Sequence, residues 1–213
     1  MTTTASYETA PATTHAEARE TLALAGAAGL ALGVLDLVLI QVLPYPWADL
    51  ANSSAIWALA AFALGRLTRS SVAVSGTAGA VMLVVAVESY YLAAIAVDLA
   101  SPDRLLAATT VAWLAFAVVA GAGFGMAGAL VRDRTPGSWW AGAGLGLTAA
   151  VLLAEAWLRV DATATALLTV LVAVAVLGSE SRRPGVIARA LVLTAPLTAL
   201  CFVAFVMAGF GRW

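Results

Sequence analysis

The chain has 213 residues, of which 62% are hydrophobic and 11% charged, and its formal net charge is -1. A mean hydropathy of +0.97 lies outside the range of soluble globular domains, and the charge balance does not favour nucleic acid as a partner. The single cysteine and single histidine, Cys201 and His15, provide neither a disulfide framework nor a Cys/His metal site. We therefore expect a polytopic membrane protein without a metal or a cofactor.

Seven apolar stretches are candidates for membrane spans, which need about 20 helical residues each. A polar, mobile tail is predicted over residues 1–20, and residues 21–213 are predicted to form one all-α transmembrane bundle. The spans are predicted at Thr21–Leu43, Leu50–Leu67, Val72–Asp98, Pro102–Val131, Ser138–Leu158, Thr163–Leu177 and Val186–Phe210.

The arginines favour one orientation of this bundle. With seven spans, the N-terminus and the loops after spans two, four and six share a side that holds eight of the 11 arginines. Arginine-rich loops usually remain in the cytoplasm. The prediction is a cytoplasmic N-terminus and an external C-terminus, in a bacterial plasma membrane.

Three carboxyl side chains lie inside predicted spans. Glu88 in span three has no cation within helical reach and shares a helix face with Tyr91. An ionisable residue embedded in a membrane indicates a functional site, and a desolvated carboxyl favours its neutral form. Asp36 and Glu155 are predicted in the same outer half of the bundle. Each has a structural alternative, for Asp36 an interhelical hydrogen bond and for Glu155 an ion pair with Arg159 at i+4.

Aromatic and amide side chains are predicted at a similar depth. A helical rise of about 1.5 Å per residue places them in or near the outer half, where we expect a pocket lined by carboxyls and rings. The candidate substrate-binding residues are Trp57, Tyr90, Tyr91, Trp113, Phe116, Trp157 and Asn52. The alternative for the tryptophans is an aromatic belt at the membrane surface, and for Asn52 a helix cap.

Glycines indicate where helices pack closely. In span one, Gly26, Gly29 and Gly33 fall at helical spacing on the face that carries Asp36. Small residues allow two helix backbones to approach each other in a membrane. This face is therefore predicted to pack inside the bundle.

Two resemblances add to these expectations. Residues Leu50 to Trp57, the stretch from Gly121 to Gly128 followed by Arg132, and the pair 154–155 resemble small bacterial integral membrane proteins with no assigned function. The architecture of short spans, embedded carboxyls and interior rings is similar to that of the membrane-integral terpene cyclases of meroterpenoid and indole-terpenoid pathways. Those enzymes protonate an epoxide or alkene of a prenylated substrate, whose cation then cyclises in an aromatic-lined cavity.

The resemblance to cyclases implies that Glu88, assisted by Asp36, is the general acid, with Glu155 as a further candidate. The expected partner is a lipophilic prenylated molecule, such as a prenyl-indole or prenyl-phenol, that enters from the lipid bilayer. Carboxyls supply protons and aromatic faces stabilise cations, as this chemistry requires. The alternative is a transporter or solute-binding membrane subunit, in which the same acids relay protons or act as counter-ions. A third reading is a structural subunit or homo-oligomer that associates through glycine faces.

Overall fold

The computed structural model describes residues 14–133 and 138–209, and this part of the chain is all-helical. It contains eight α-helices and one 3₁₀ helix, Pro102–Leu106. The α-helices are α1 His15–Val42, α2 Trp47–Ala51, α3 Ser54–Leu67, α4 Val72–Ala96, α5 Ala108–Arg132, α6 Trp139–Leu158, α7 Thr163–Gly178 and α8 Pro184–Met207. The all-α prediction is confirmed.

Five of these helices, α1, α4, α5, α6 and α8, are long and apolar enough to cross a membrane. This finding is consistent with a membrane protein. The helices α3 and α7 are also apolar, but they have 14 and 16 residues. A rise of about 1.5 Å per residue makes each roughly 20 to 25 Å long, which is less than a hydrocarbon core of about 30 Å.

Helix α1 begins earlier than predicted, at His15, inside the segment expected to be a mobile tail. Thr14 caps it, because the Thr14 hydroxyl accepts a hydrogen bond from the Glu17 N–H and the Glu17 carboxylate accepts one from the Thr14 N–H. This reciprocal capping box is a strong helix start. Residues 1–13 and the predicted end of span seven at Phe210 lie outside the described residues.

Two other predicted spans are divided. Span two consists of α2 and α3, separated at Asn52 and Ser53, and the Ser53 hydroxyl caps α3 by accepting the Ile56 N–H at 3.2 Å. Serine and asparagine bind nearby backbone groups and so favour helix ends. Span four begins with the 3₁₀ helix, which the buried hydroxyl of Thr110 ties to α5 by donating to the Arg104 carbonyl at 2.6 Å.

Helices α1 and α4 pack with their backbones nearly touching. A Cβ atom at Gly29 would overlap the Met82 carbonyl oxygen, and one at Gly33 would overlap that of Ala86. The predicted packing face of span one is thus confirmed at these two glycines. It does not extend to Gly26, where a Cβ atom would meet nothing within 4 Å.

Glycines also bring α5 against its neighbours. Gly121 packs on Gly79 of α4, and Gly128 packs on the Phe62 backbone of α3. Helix α4 therefore lies between α1 and α5, and α3 contacts α5 beside them. Since consecutive apolar helices alternate in direction, the ends of α1, α4 and α6 lie with the starts of α3 and α7; we call this the Asp36 end, and the opposite one the Glu180 end.

Candidate functional site

Asp36 lies near the end of α1 and is 4% exposed. Its partner is Trp57 in the first turns of α3, to which it is joined by a side-chain hydrogen bond. The indole N–H can only donate, so the Asp36 carboxyl accepts. The remaining carboxyl oxygen, Oδ1, is buried and has no hydrogen-bond partner within the described residues.

Tyr90 of α4 brings a third helix to this carboxyl. Its partly buried side chain interacts electrostatically with Asp36 and meets the Tyr91 ring edge-on, with ring centroids 5.5 Å apart. Tyr91 and Trp57 in turn pack against the main hydrophobic core. We call Asp36, Trp57, Tyr90 and Tyr91 the Asp36 cluster, in which Trp57 and Tyr90 interact with the carboxyl and Tyr91 contacts Tyr90. All four were sequence candidates.

Glu88 lies elsewhere on α4. The helix packs on α5 through Gly79 and on α1 through Ala86 and Ser89. Glu88 follows Gly79 by nine positions, which at about 100° per residue places it on the opposite side of the helix. It is partly buried there, and none of the ion pairs among residues 14–133 and 138–209 includes it. Among the described residues no hydrogen bond or ion pair joins Glu88 to Asp36, although Tyr91 of the Asp36 cluster shares the face of α4 that carries Glu88.

Glu155 of α6 binds the start of α3. Its Oε2 accepts the Ala55 N–H at 2.7 Å, and its Oε1 lies 2.8 Å from Arg159 Nε. Arg159 also donates from Nη2 to the Asn52 carbonyl oxygen at 2.9 Å. A carboxylate at a helix N-terminus offsets the helix dipole. Glu155 and Arg159 therefore hold the break between α2 and α3 in place, and the break ends at Ser53, four residues before Trp57.

The four remaining substrate-binding candidates are not members of the Asp36 cluster. Trp113 and Phe116 of α5 contact each other edge-on, with centroids 6.4 Å apart, and Phe116 is 43% exposed. Trp157 is 71% exposed, as expected of an aromatic residue at a membrane surface. The Asn52 side chain is exposed, and its backbone carbonyl makes the contact described above.

The sequence matches a protein family over nearly its whole length. The family of unknown function DUF6518 covers residues 12–209. The chain belongs to the DUF6518 family. No curated protein and no solved structure matches it. The family agrees with the expected likeness to membrane proteins of unassigned function, whereas the likeness to terpene cyclases stays a prediction.

Sequence reasoning missed one buried carboxylate in this DUF6518 chain, Glu180, which is 6% exposed. It forms ion pairs with Arg66 of α3 and, at 3.2 Å, with Arg183. Arg183 also donates to the carbonyl oxygens of Val131 (2.8 Å) and Asp133 (3.0 Å) at the end of α5. The signal was an acid just after an apolar helix and just before two arginines, Arg182 and Arg183.

Arg132 makes a similar contact beside Glu180. It donates to the Gly65 carbonyl oxygen at 2.8 Å and to that of Ser70. The last carbonyls of a helix have no intrahelical partner and attract cations. Arg66, Arg132 and Arg183 therefore bind three helices to each other at the Glu180 end.

No metal-binding group is found in the described part of this DUF6518 protein. Residues 14–133 and 138–209 contain no group of three or more His, Cys, Asp or Glu side chains placed to hold an ion. What the Asp36 cluster offers chemically is one carboxyl oxygen for proton exchange and electron-rich rings beside it.

Proposed function

We propose that this protein is a membrane-integral enzyme in which Asp36 protonates a lipophilic prenylated substrate and so begins a carbocation cyclisation. The proposal depends on the buried Asp36 carboxyl, whose Oδ1 has no partner among the described residues. None of the ion pairs in the described ranges includes this carboxyl. A desolvated carboxyl without a cation favours the protonated form, which is the form a general acid requires.

The chemistry balances without a cofactor. The O–H bond of Asp36 breaks as the proton bonds to an epoxide oxygen, and the carbon–oxygen bond opens to leave a carbocation. An alkene of the same substrate supplies the electron pair for a new carbon–carbon bond, and the final cation returns a proton to the Asp36 carboxylate. The product is an isomer of the substrate.

The residues next to Asp36 can assist both the proton transfer and the carbocation that follows it. The Trp57 N–H stabilises the carboxylate that proton transfer leaves, because a donor favours the charged form. The faces of Trp57, Tyr90 and Tyr91 attract positive charge through their ring quadrupoles. Asp36 replaces Glu88 as the proposed donor, because Trp57 and Tyr90 interact with Asp36.

The test is turnover in membranes that contain the full-length protein. An epoxidised prenyl-indole and an epoxidised prenyl-phenol are incubated with the parent, with Asp36→Asn, and with Asp98→Asn as the matched control. Asp98 is exposed and has a positive φ of 58°, which asparagine also adopts. A cyclised isomer from the parent and the control, reduced about 10²- to 10⁴-fold in Asp36→Asn, supports the proposal. Absence of any product, or full activity in Asp36→Asn, contradicts it.

We further propose seven spans with a cytoplasmic N-terminus in a bacterial plasma membrane. In support, α3 and α7 are apolar and lie among the five long helices. Arg66, Arg132 and Arg183 gather at one end, and basic residues favour the cytoplasmic side. A reporter fused after Trp213 is expected to be active only outside the cytoplasm; cytoplasmic activity would reverse the proposed topology.

A proton-coupled transporter is the second candidate function. The break between α2 and α3 favours it, because interrupted helices with ionisable residues at their ends form the substrate sites of many transporters. Glu155 and Arg159 occupy this break. Substrate-dependent proton uptake by proteoliposomes, abolished in Glu155→Gln and retained in Asp36→Asn, would favour transport over cyclisation.

A further inference from the structure

Arg189 is a partly buried cation in the second turn of α8, a helix long enough to span a membrane. None of the ion pairs among residues 14–133 and 138–209 includes it. The other partly buried arginines in these ranges all bind a carboxylate or a backbone carbonyl oxygen; they are Arg66, Arg132, Arg159 and Arg183. A charge removed from water needs such compensation, so Arg189 requires a counter-ion that the described chain does not supply.

The Trp139 ring at the start of α6 holds the Arg189 guanidinium in place. Arg189 Cζ lies 5.2 Å from the ring centroid, within the range of about 6 Å over which a cation is attracted to an aromatic face. The two helices are in close contact beside it, because a Cβ atom at Gly142 would lie 2.6 Å from Arg189 Cβ. The base of the Arg189 side chain is therefore fixed, and the ring contact occupies none of its N–H donors.

The surroundings of Arg189 are those of a membrane surface. Trp139 and Trp140 begin α6 and are 59% and 70% exposed, and tryptophans at the end of a membrane helix lie at the level of the lipid headgroups. Arg189 follows Pro184, the first residue of α8, by a rise of about 7.5 Å. A long arginine side chain extends over such a distance to reach the interface. The anions present at this depth are lipid phosphates.

We propose that Arg189 binds the phosphate of an anionic phospholipid at the Glu180 end, with the Trp139 ring positioning its guanidinium. The planar guanidinium matches the geometry of a phosphate, and basic positions between membrane helices bind anionic headgroups. The acyl chains have an apolar surface to follow, because Val192 and Leu200 continue the Arg189 face of α8 and are 68% and 64% exposed. The proposal is independent of the proposed function, since neither α6 nor α8 contributes a residue to the Asp36 cluster.

The test is the lipid preference of the purified full-length protein, measured by native mass spectrometry with phosphatidylglycerol and phosphatidylcholine of identical acyl chains. Both lipids carry the phosphate, but in phosphatidylcholine a choline cation neutralises it. We expect phosphatidylglycerol to bind at least about fivefold tighter. Equal affinity for the two lipids would overturn the proposal. Displacement of phosphatidylglycerol by an excess of inorganic phosphate would also overturn it, because the site would then be one for a soluble anion.

Variants locate the site. Arg189→Gln is expected to reduce the preference about fivefold, and Trp139→Leu, which keeps the charge but removes the ring, about twofold or more. The matched controls are Arg104→Gln and Trp157→Leu, which change an exposed arginine and an exposed tryptophan at the Asp36 end. Both controls are expected to keep the preference of the parent.

Three results for these variants would contradict a lipid site at Arg189: a preference that survives Arg189→Gln, one that survives Trp139→Leu, or one that Arg104→Gln reduces equally. Melting temperatures in detergent establish that each variant is folded. If Arg189→Gln does not fold, Trp139→Leu decides the question alone, because it changes an exposed side chain and leaves the arginine in place.

Discussion

The buried carboxylates at the two ends of the bundle differ in their partners. At the Glu180 end, Glu180 pairs with Arg66 and Arg183, and Arg183 also donates to the Val131 carbonyl oxygen of α5. At the Asp36 end, Asp36 receives one hydrogen bond from Trp57, and its second oxygen is unpartnered within the described residues. Both acids are at least nine-tenths buried, so burial does not distinguish them. Their partners do.

This difference separates a stabilising residue from a functional candidate. Removing a charge from water is unfavourable unless pairing and hydrogen bonds compensate. Glu180 has that compensation, and its contacts explain its presence by themselves. Asp36 has little of it, and a buried polar atom left without a partner needs another explanation, which we assign to chemistry.

Glu155 shows that the comparison concerns pairing rather than position. It lies at the Asp36 end and is 4% exposed, as Asp36 is. Its Oε2 accepts the Ala55 N–H, and its Oε1, which like Asp36 Oδ1 has no hydrogen-bond partner among the described residues, forms an ion pair with Arg159 that Asp36 lacks. By the criterion that separates Glu180 from Asp36, Glu155 belongs with the stabilising residues.

The largest expected effect on stability is that of Glu180→Gln. The change leaves Arg66 and Arg183 without their carboxylate, and because both arginines are partly exposed we expect a cost of about 3 kcal/mol, at the lower limit for a buried ion pair. The free energy of unfolding in detergent micelles, from denaturant titration, is the measurement. Asp36→Asn is the comparison, because the amide oxygen can still accept from Trp57, and we expect no loss of stability there. Equal destabilisation by the two changes would remove the contrast between the ends.

Gly33→Leu tests whether the Asp36 end depends on backbone contact rather than on ion pairs. A side chain at Gly33 would overlap the Ala86 carbonyl, and overpacking of this kind costs about 1 to 3 kcal/mol. Gly26→Leu is the matched control in the same helix, because a Cβ atom there meets nothing within 4 Å. A lowered melting temperature is expected for Gly33→Leu alone. If the two variants have the same melting temperature, the stability of the protein does not depend on the close contact between α1 and α4.

The all-helical fold was predictable from the sequence because apolar length alone indicates membrane helices. The division of span two was not predictable, since it depends on a residue far away in the sequence. Ser53 caps α3 locally, but the Ala55 N–H binds Glu155, a residue 100 positions along the chain. Likewise, the early start of α1 depends on the Thr14 capping box inside a segment that composition alone presented as a tail.

The candidate site was predictable in its residues but not in its grouping. Embedded acids and rings identified Asp36, Trp57, Tyr90 and Tyr91. Helical spacing within α4 could pair Glu88 with Tyr91, but it could not reveal which face of α4 meets α1. That face is set by Gly33 against Ala86, a contact between residues that carry no chemical signal. The Glu180 ion pairs were missed for a related reason, because Arg66 comes from a different helix.

A smaller effect is expected for Glu155→Gln. The amide can still accept the Ala55 N–H, but it loses the charge that attracts Arg159, so we expect a loss of about 1 kcal/mol and a reduced but measurable turnover. The measurements are the free energy of unfolding and product formation, with Glu20→Gln, a change on the exposed surface of α1, as the control. Complete loss of turnover with unchanged stability would instead make Glu155 a reacting group.

The smallest effect is expected for Glu88→Gln, the change that the sequence alone ranked highest. Glu88 is partly buried on the side of α4 opposite Gly79, and substitutions away from buried networks usually change stability by less than about 0.5 kcal/mol. Turnover is expected within twofold of the parent, because the rings that interact with the proposed donor Asp36 are Trp57 and Tyr90. Product formation by Asp36→Asn and Glu88→Gln in the same membrane preparation is the measurement. If Glu88→Gln loses activity while Asp36→Asn keeps it, an unpartnered buried oxygen does not identify the acid, and the reaction takes place on the outward face of α4.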